Sequence, residues 1–403
     1  MTANTTYPVL RWLAASALGC AGAGLCLGAC ASSEELVEVR EPDASAMLPP
    51  ADAGASTDAD ADADAEQCTA DDCEFYPAEC APDVFCPNGP FDPTDPTVAM
   101  DWRTRVFAIL GRSRSDVWMA GAAGSVAHYD GAAWTVSELA VKESQRVLWL
   151  PSRGEVTMAN PLSVRTRSLP VGDAGAASAG GWTARAIKLP AGYSDREVWS
   201  AWAPPGTDTL WVGAAANLWR LRLTEDSELE GLAGIGTAVC NKIQCGRLRR
   251  LHGASASTLF GVGEVGRIVR ISGADTDAPS ALPLNSRTWV GLNGVWAASD
   301  TDAWAVGGTG TIRHYTGDEI NWDAVTDVPT DVDLNAVWGT SPDDVWAVGD
   351  AGVVLHFDGQ KWSRMKIAGL GNRRPDLYAV WAPEPGHVWI GGQGILVALG
   401  GKP

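Results

Sequence analysis

Histidine is scarce in this chain, with five in 403 residues. That thins the supply of metal ligands and of general acids and bases working near neutral pH. No G-x-S-x-G, H-E-x-x-H, P-loop or clustered Cys/His pattern occurs, so the common hydrolase, zinc-protease and nucleotide-binding signatures are missing. Gly261–Gly266 spells G-x-G-x-x-G, but it lies inside a β-like segment with no helix to follow, the context that motif requires. Basic residues are few, 30 Lys and Arg against 49 Asp and Glu, and form no stripe, which speaks against nucleic acid as a partner. After residue 100 no long segment repeats with a 3.6-residue period, so little helix is expected.

What is present is repetition. A phrase whose cleanest copy is DLNAVWGTSPDDVWAVGDAGVVLHFDGQKWS (333–363) returns seven times. Its first aromatic column is Leu110, Trp149, Trp202, His252, Trp296, Trp338 and Trp381. The second is Trp118, Thr157, Trp211, Phe260, Trp304, Trp346 and Trp389, with steps of 39, 54, 49, 44, 42 and 43 residues. The third is Trp134, Trp182, Trp322 and Trp362, with no clear member in repeats three and four. Between columns lie short β-branched and aromatic runs such as VVLHF (353–357), closed by Asp-Gly turns in which glycine tolerates positive φ. Four short antiparallel strands per repeat of about 43 residues is the size of a propeller blade. The sequence therefore predicts an all-β, seven-bladed β-propeller of four-stranded antiparallel blades. The last repeat lacks a fourth strand and its closing Trp. VAMDW (98–102), with Trp102, is expected to supply them, so that the N-terminal strand completes the last blade and removes a free edge.

The first hundred residues are different material. Arg11 precedes an apolar stretch of signal-peptide proportions that ends at Leu27-Gly28-Ala29-Cys30. That ending resembles a bacterial lipobox, which implies cleavage before Cys30, acylation of its thiol, export and, with Ala31 next, the outer membrane. Residues 31–100 hold 18 acidic residues and one basic residue, Arg40, so most of the net charge of −19 sits here. A segment so acidic and poor in apolar residues is expected to stay extended. The domains expected are a signal peptide (1–29), an acidic linker with a four-Cys cluster at 68–86 (30–97) and a propeller (98–403). Asp58, Asp60, Asp62 and Asp64 open like a calcium loop, but Ala63 and Thr69 stand where its Gly and Glu belong, so they read as solvated spacer. Cys240 and Cys245 read as a loop disulfide. Cys68, Cys73, Cys80 and Cys86 read as two more whose pairing the sequence leaves open, and no metal site is expected.

The phrases AVWGTSPDDVWAVGDAG (336–352) and HFDGQKW (356–362) resemble the repeats of predicted exported β-propeller lipoproteins of myxobacterial type. That resemblance covers signal, tether and repeats and implies architecture and location without catalytic residues. Asp-box propellers of the sialidase kind are more distantly similar: D-G-x-x-W stands here in place of S-x-D-x-G-x-T-W, and the Arg-Ile-Pro motif is absent.

Aligned as columns, most attractive residues become ordinary. His128, His314 and His356 share one repeat position and cannot meet around one metal, so a repeated hydrogen bond on the third strand is expected. Carboxylates such as Asp344 and Asp302 are expected to bond nearby backbone N–H groups. The residues left over as ligand-binding candidates are His252, standing where most repeats have Trp, and Trp199, Trp219 and Trp289, which lie outside the columns. The expected function is a monomeric, cofactor-free, non-catalytic binding or scaffolding module for an envelope protein or glycan, attached to the membrane by its lipid. The alternative is a hydrolase or lyase acting on extracellular polysaccharide, with a carboxylate pair at the channel mouth.

Overall fold

The computed structural model describes residues 68–91, 100–170, 176–194 and 197–401. The signal peptide, Cys30, and the acidic run with its calcium-like aspartates lie outside them. Seven separate four-stranded antiparallel sheets form the blades of a propeller. Blade 6 shows the plan: inner strand Leu334–Ser341, second strand Asp344–Gly349, third strand Val354–Phe357, outer strand Trp362–Arg364. The second strand is buried along nearly its whole length, because neighbouring blades cover both of its faces, and so it reads as a continuous apolar run. Outer strands such as Ser280–Asn285 show mostly exposed residues.

The Asp-Gly turns form as expected. Asp358 Oδ1 accepts the N–H groups of Gln360 and Lys361, both at 2.9 Å. Gly359 takes φ +87°, the left-handed region in which a side chain would be strained. Asp130 makes the same turn in blade 1, and Asp318 of blade 5, which follows its glycine, likewise accepts the N–H groups two and three residues on.

Tryptophans of the third column lock blade to blade. Each meets the second-column ring of the preceding blade edge-on: Trp182 on Trp118, Trp322 on Phe260, Trp362 on Trp304, and Trp134 on Trp389 across the closure. Blade 3, whose neighbour presents Thr157, has no such ring, and neither has blade 4, whose neighbour presents Trp211. The Nε1 atoms of Trp182, Trp322 and Trp362 are buried without a partner among the described residues, so shape and not hydrogen bonding selects these rings.

The last blade is completed from the N-terminal side, but not by 98–102. Phe85–Pro87 pairs antiparallel with Ile395–Leu399, Phe85 opposite Leu399 and Pro87 opposite Val397. The Phe85 ring stands edge-on to Trp346 of blade 6, with centroids 5.5 Å apart, and so occupies the closing slot. Trp102 lies in a turn before blade 1 and is 66% exposed. The repeat pattern predicts a tryptophan there, whereas the slot needs only a flat ring.

The four-Cys segment consequently belongs to the folded body. Its disulfides are Cys68–Cys73 and Cys80–Cys86. Tyr76 donates to the Ala351 carbonyl at 2.8 Å, and Arg374 lies 3.6 Å from the Tyr76 ring centroid. Arg374 also bonds Asp72 and holds that carboxyl below its ordinary range. Ile367 and Gly369 donate backbone bonds to Phe75 and Pro77. The third disulfide, Cys240–Cys245, staples the helix Thr237–Ile243 between blades 3 and 4.

Candidate functional site: the channel and the upper face

Strand direction alternates within each blade. The links from outer strand to next inner strand therefore share one face with the turns between second and third strands. That face is called upper here, and the opposite one lower.

The lower face is tied off. Ser152 of blade 2 donates to Asp208 of blade 3. Ser255 and Thr258 of blade 4 donate to Asp300 of blade 5. Arg112 of blade 1 reaches Gly154 and Glu155 of blade 2. The upper face also carries bonds between blades, such as Asn293 to the Leu334 carbonyl and Asn335 to the Leu377 carbonyl, and differs in its exposed side chains. Of the large apolar side chains exposed among the described residues, Trp102, Leu162, Trp199, Val239, Val265 and Trp289 lie on it, while Val136, Leu282 and Ile320 lie elsewhere. Trp289 is 86% exposed. Cations stack on the rings around the channel mouth: Arg146 on Phe107 at 4.8 Å, Arg105 on Tyr378 at 5.5 Å, and Arg247 on Trp199 at 5.8 Å.

The inner strands enclose a central channel of about 740 Å³. First-column rings lean on the next blade or hydrogen-bond to it. A Cβ at Gly339 would lie 2.6 Å from the Trp296 ring, and one at Gly111 would lie 2.5 Å from Trp381, so these glycines make room for the wedge. Where the next blade carries alanine the solution changes. Trp338 Nε1 donates to the Ala382 carbonyl at 3.0 Å, and His252 Nδ1 accepts the Ala297 N–H at 3.1 Å. His252 is buried, and its ring touches Trp202, Trp296 and Trp338. Burial, reinforced by the nearby Arg250 charge, pushes its pKa down to about 3, so it is a neutral acceptor.

The sequence candidates thus separate. His252 and Trp199 both line the channel, His252 deep and Trp199 at the mouth, where its Nε1 donates to Glu197 at 3.1 Å. Trp289 is on the upper face. Trp219 is not available to any ligand: it lies on the third strand of blade 3, 1% exposed, inside the core between blades 2 and 3. The repeated histidines bond aspartates of their own blades: His128 to Asp116 at 2.8 Å, His314 to Asp302 at 3.0 Å and His356 to Asp344 at 2.7 Å, each stacked on the second-column Trp. Asp344 and Asp116 also accept from Trp346 Nε1 and Trp118 Nε1, so these carboxylates serve side chains and not the backbone expected of them. The D-x-W spacing followed by a His twelve residues after the Asp was visible in the sequence. Missed there was Arg250, which enters the channel from the inner strand Leu248–His252 of blade 4.

No protein-family model and no curated protein matches this chain. Solved structures do. YCF48 bound to D1 peptide is 15% identical with a TM-score of 0.58, covering 80% of this chain and 98% of its own. Virginiamycin B lyase from Staphylococcus aureus is 12% identical with a TM-score of 0.53, covering 74% and 94%. The WD40 β-propeller domain of Doa1 is 10% identical with a TM-score of 0.52, covering 73% and 92%. At these identities the likeness is one of fold, and the fold it establishes is the β-propeller.

Proposed function

We propose that this protein is a non-catalytic binding module, held to the cell envelope by a lipid on Cys30, which receives a protein partner on its upper face. The carrying observation is that exposed Trp102, Trp199 and Trp289, with arginines beside the mouth, all lie on one face of the disc. Exposed aromatic and arginine side chains are the usual anchors of protein interfaces. The solved structure of YCF48 with a peptide shows that a propeller of similar fold can take a polypeptide ligand. Polysaccharide hydrolysis has less support, since among the described residues no Asp or Glu lines the channel, where a facing carboxylate pair would stand.

The test is cross-linking of the intact protein in its own envelope, comparing the unmutated chain with Trp102→Ala/Trp289→Ala. The expected result is a discrete protein adduct that the double variant loses. An unchanged adduct, or selective glycan-array binding that survives the double variant, would count against the upper face. For anchoring, Cys30→Ser should shift the protein out of the membrane fraction; unaltered partitioning would refute the lipid.

A further inference from the structure

Seen from the first column, the residue two places earlier on each inner strand forms a layer one step nearer the upper mouth. In six blades that residue is Ala108, Val147, Ser200, Gly294, Ala336 or Ala379. In blade 4 it is Arg250. A ring of small side chains thus carries a single guanidinium, on the same side of its strand as His252.

Arg250 lines the channel and is half-buried. Among the described residues its side chain has no hydrogen-bond or ion-pair partner. Other arginines of the middle blades do not behave so. Arg249 donates to Asn293 and pairs with Glu264. Arg267 donates to the Gly246 carbonyl and Arg220 to those of Ala233 and Thr276. Arg105, Arg146 and Arg247 on the links at the upper face lack such acceptors but lie over aromatic rings, whereas Arg250 has no ring stack among the described residues either. Burial depresses the basicity of Arg250, and no carboxylate offsets it. A guanidinium in this position costs stability that an apolar residue would not. Below it stand Trp202, Trp296 and Trp338, whose rings also line the channel.

We propose that the channel binds a small amphipathic monocarboxylate, its carboxylate held by the Arg250 guanidinium and its apolar body against Trp202, Trp296 and Trp338. Of the three arginines that line the channel, Arg112 bonds Asp116, Gly154 and Glu155, and Arg146 stacks on Phe107 at the mouth. Arg250 alone stands unpaired in this layer, where it matches one negative charge, and its fork matches the two oxygens of a carboxylate. A phosphate dianion would bring a second charge into a layer of small apolar side chains with nothing to meet it. The cavity volume is in the range of small-molecule sites. This site is independent of a partner on the upper face.

The experiment titrates the full chain with 2-naphthoate and with the neutral, nearly isosteric 2-naphthamide, following tryptophan fluorescence and calorimetry. Naphthoate should bind at least about tenfold more tightly. Arg250→Gln should abolish that preference and leave naphthamide affinity within about twofold, whereas Arg146→Gln at the exposed mouth should keep it. Equal affinity for acid and amide, no binding of either, or a preference that survives Arg250→Gln would overturn the proposal. Tighter binding of 2-naphthyl phosphate than of naphthoate would overturn the carboxylate assignment. The acid–amide comparison on the unmutated chain decides the matter even if Arg250→Gln fails to fold.

Discussion

Blades 5 and 6 and blades 3 and 4 solve the same local problem in two ways. In blades 5 and 6 the ring of the second strand, Trp304 or Trp346, is covered by a histidine of the third strand, and that histidine is held by an aspartate of its own blade. In blades 3 and 4 the same register positions hold Arg220, opposite Trp211, and Arg270, opposite Phe260. Arg220 lies over the Trp211 ring and donates to Thr276 of blade 4; Arg270 donates to the Tyr315 hydroxyl of blade 5 at 3.0 Å. Arg220, like the histidines, lays a flat plate on a ring. The histidine device is complete within its own blade, while the arginine device bonds to the neighbouring blade. Irregular blades are therefore differently wired and not merely degraded, and the channel arginine Arg250 belongs to them.

The largest effect expected concerns the closure, which attaches to the regular set. Phe85→Ala empties the slot against Trp346 and should cost about 3–5 kcal/mol in urea unfolding. Trp102→Ala, on an exposed turn, should cost within about 0.5 kcal/mol. If Trp102→Ala proved the more damaging, the strand assignment at the seam would be wrong.

The second test isolates the irregular inner ring. His252 has a folded pKa of about 3 against 6.5 when unfolded. Between those values the unfolded chain binds one proton more than the native one. Its contribution is thus fully present above pH 6.5 and is lost as pH falls toward 3, at about 1.4 kcal/mol per pH unit. Urea unfolding from pH 7.5 to 4.5 should show the unmutated chain losing more stability than His252→Phe, which lacks this proton. Parallel curves would mean that His252 is solvated in the native state.

Much of this was legible in the chain. Seven repeats, four strands each and the aromatic columns follow from periodicity, because every blade must bury the same two faces. The seam was misplaced because Phe85 does a tryptophan's work inside a Cys-rich segment that composition assigns to the linker. The arginine column escaped notice because Arg165, Arg220 and Arg270 share no neighbouring motif with His356. They align only through strand register. The upper face was invisible because Trp102 and Trp289, 187 residues apart, come to lie on one face only when the blades are set in a ring.

A smaller effect probes the wiring itself. Arg220→Ala removes a stack and bonds that span blades 3 and 4, and should cost about 2 kcal/mol; His356→Ala removes one bond and one stack within blade 6, and should cost about 1 kcal/mol. Amide exchange distinguishes them better than the totals do. Loss of Arg220 should speed exchange in both blades 3 and 4, while loss of His356 should speed it in blade 6 alone. Equal spreading in the two variants would erase the distinction between the histidine and arginine devices.

The smallest effect is expected where the sequence looks most insistent. Trp362 recurs in the third column, is buried against Trp304 and finds no acceptor for its Nε1. Leaving a buried N–H unmet costs about 1–3 kcal/mol, a penalty that phenylalanine avoids. Against this, phenylalanine gives up part of the ring area and leaves a small void. The two terms oppose each other, so Trp362→Phe should change stability by less than about 1 kcal/mol, whereas Trp362→Ala should lose about 3–5 kcal/mol. Blade 7 already contains this experiment, since Phe85 closes against Trp346 with no N–H at all. A large loss for Trp362→Phe in urea unfolding would show that the regular blades need tryptophan for more than its shape, and that the seam is an exception to their rule.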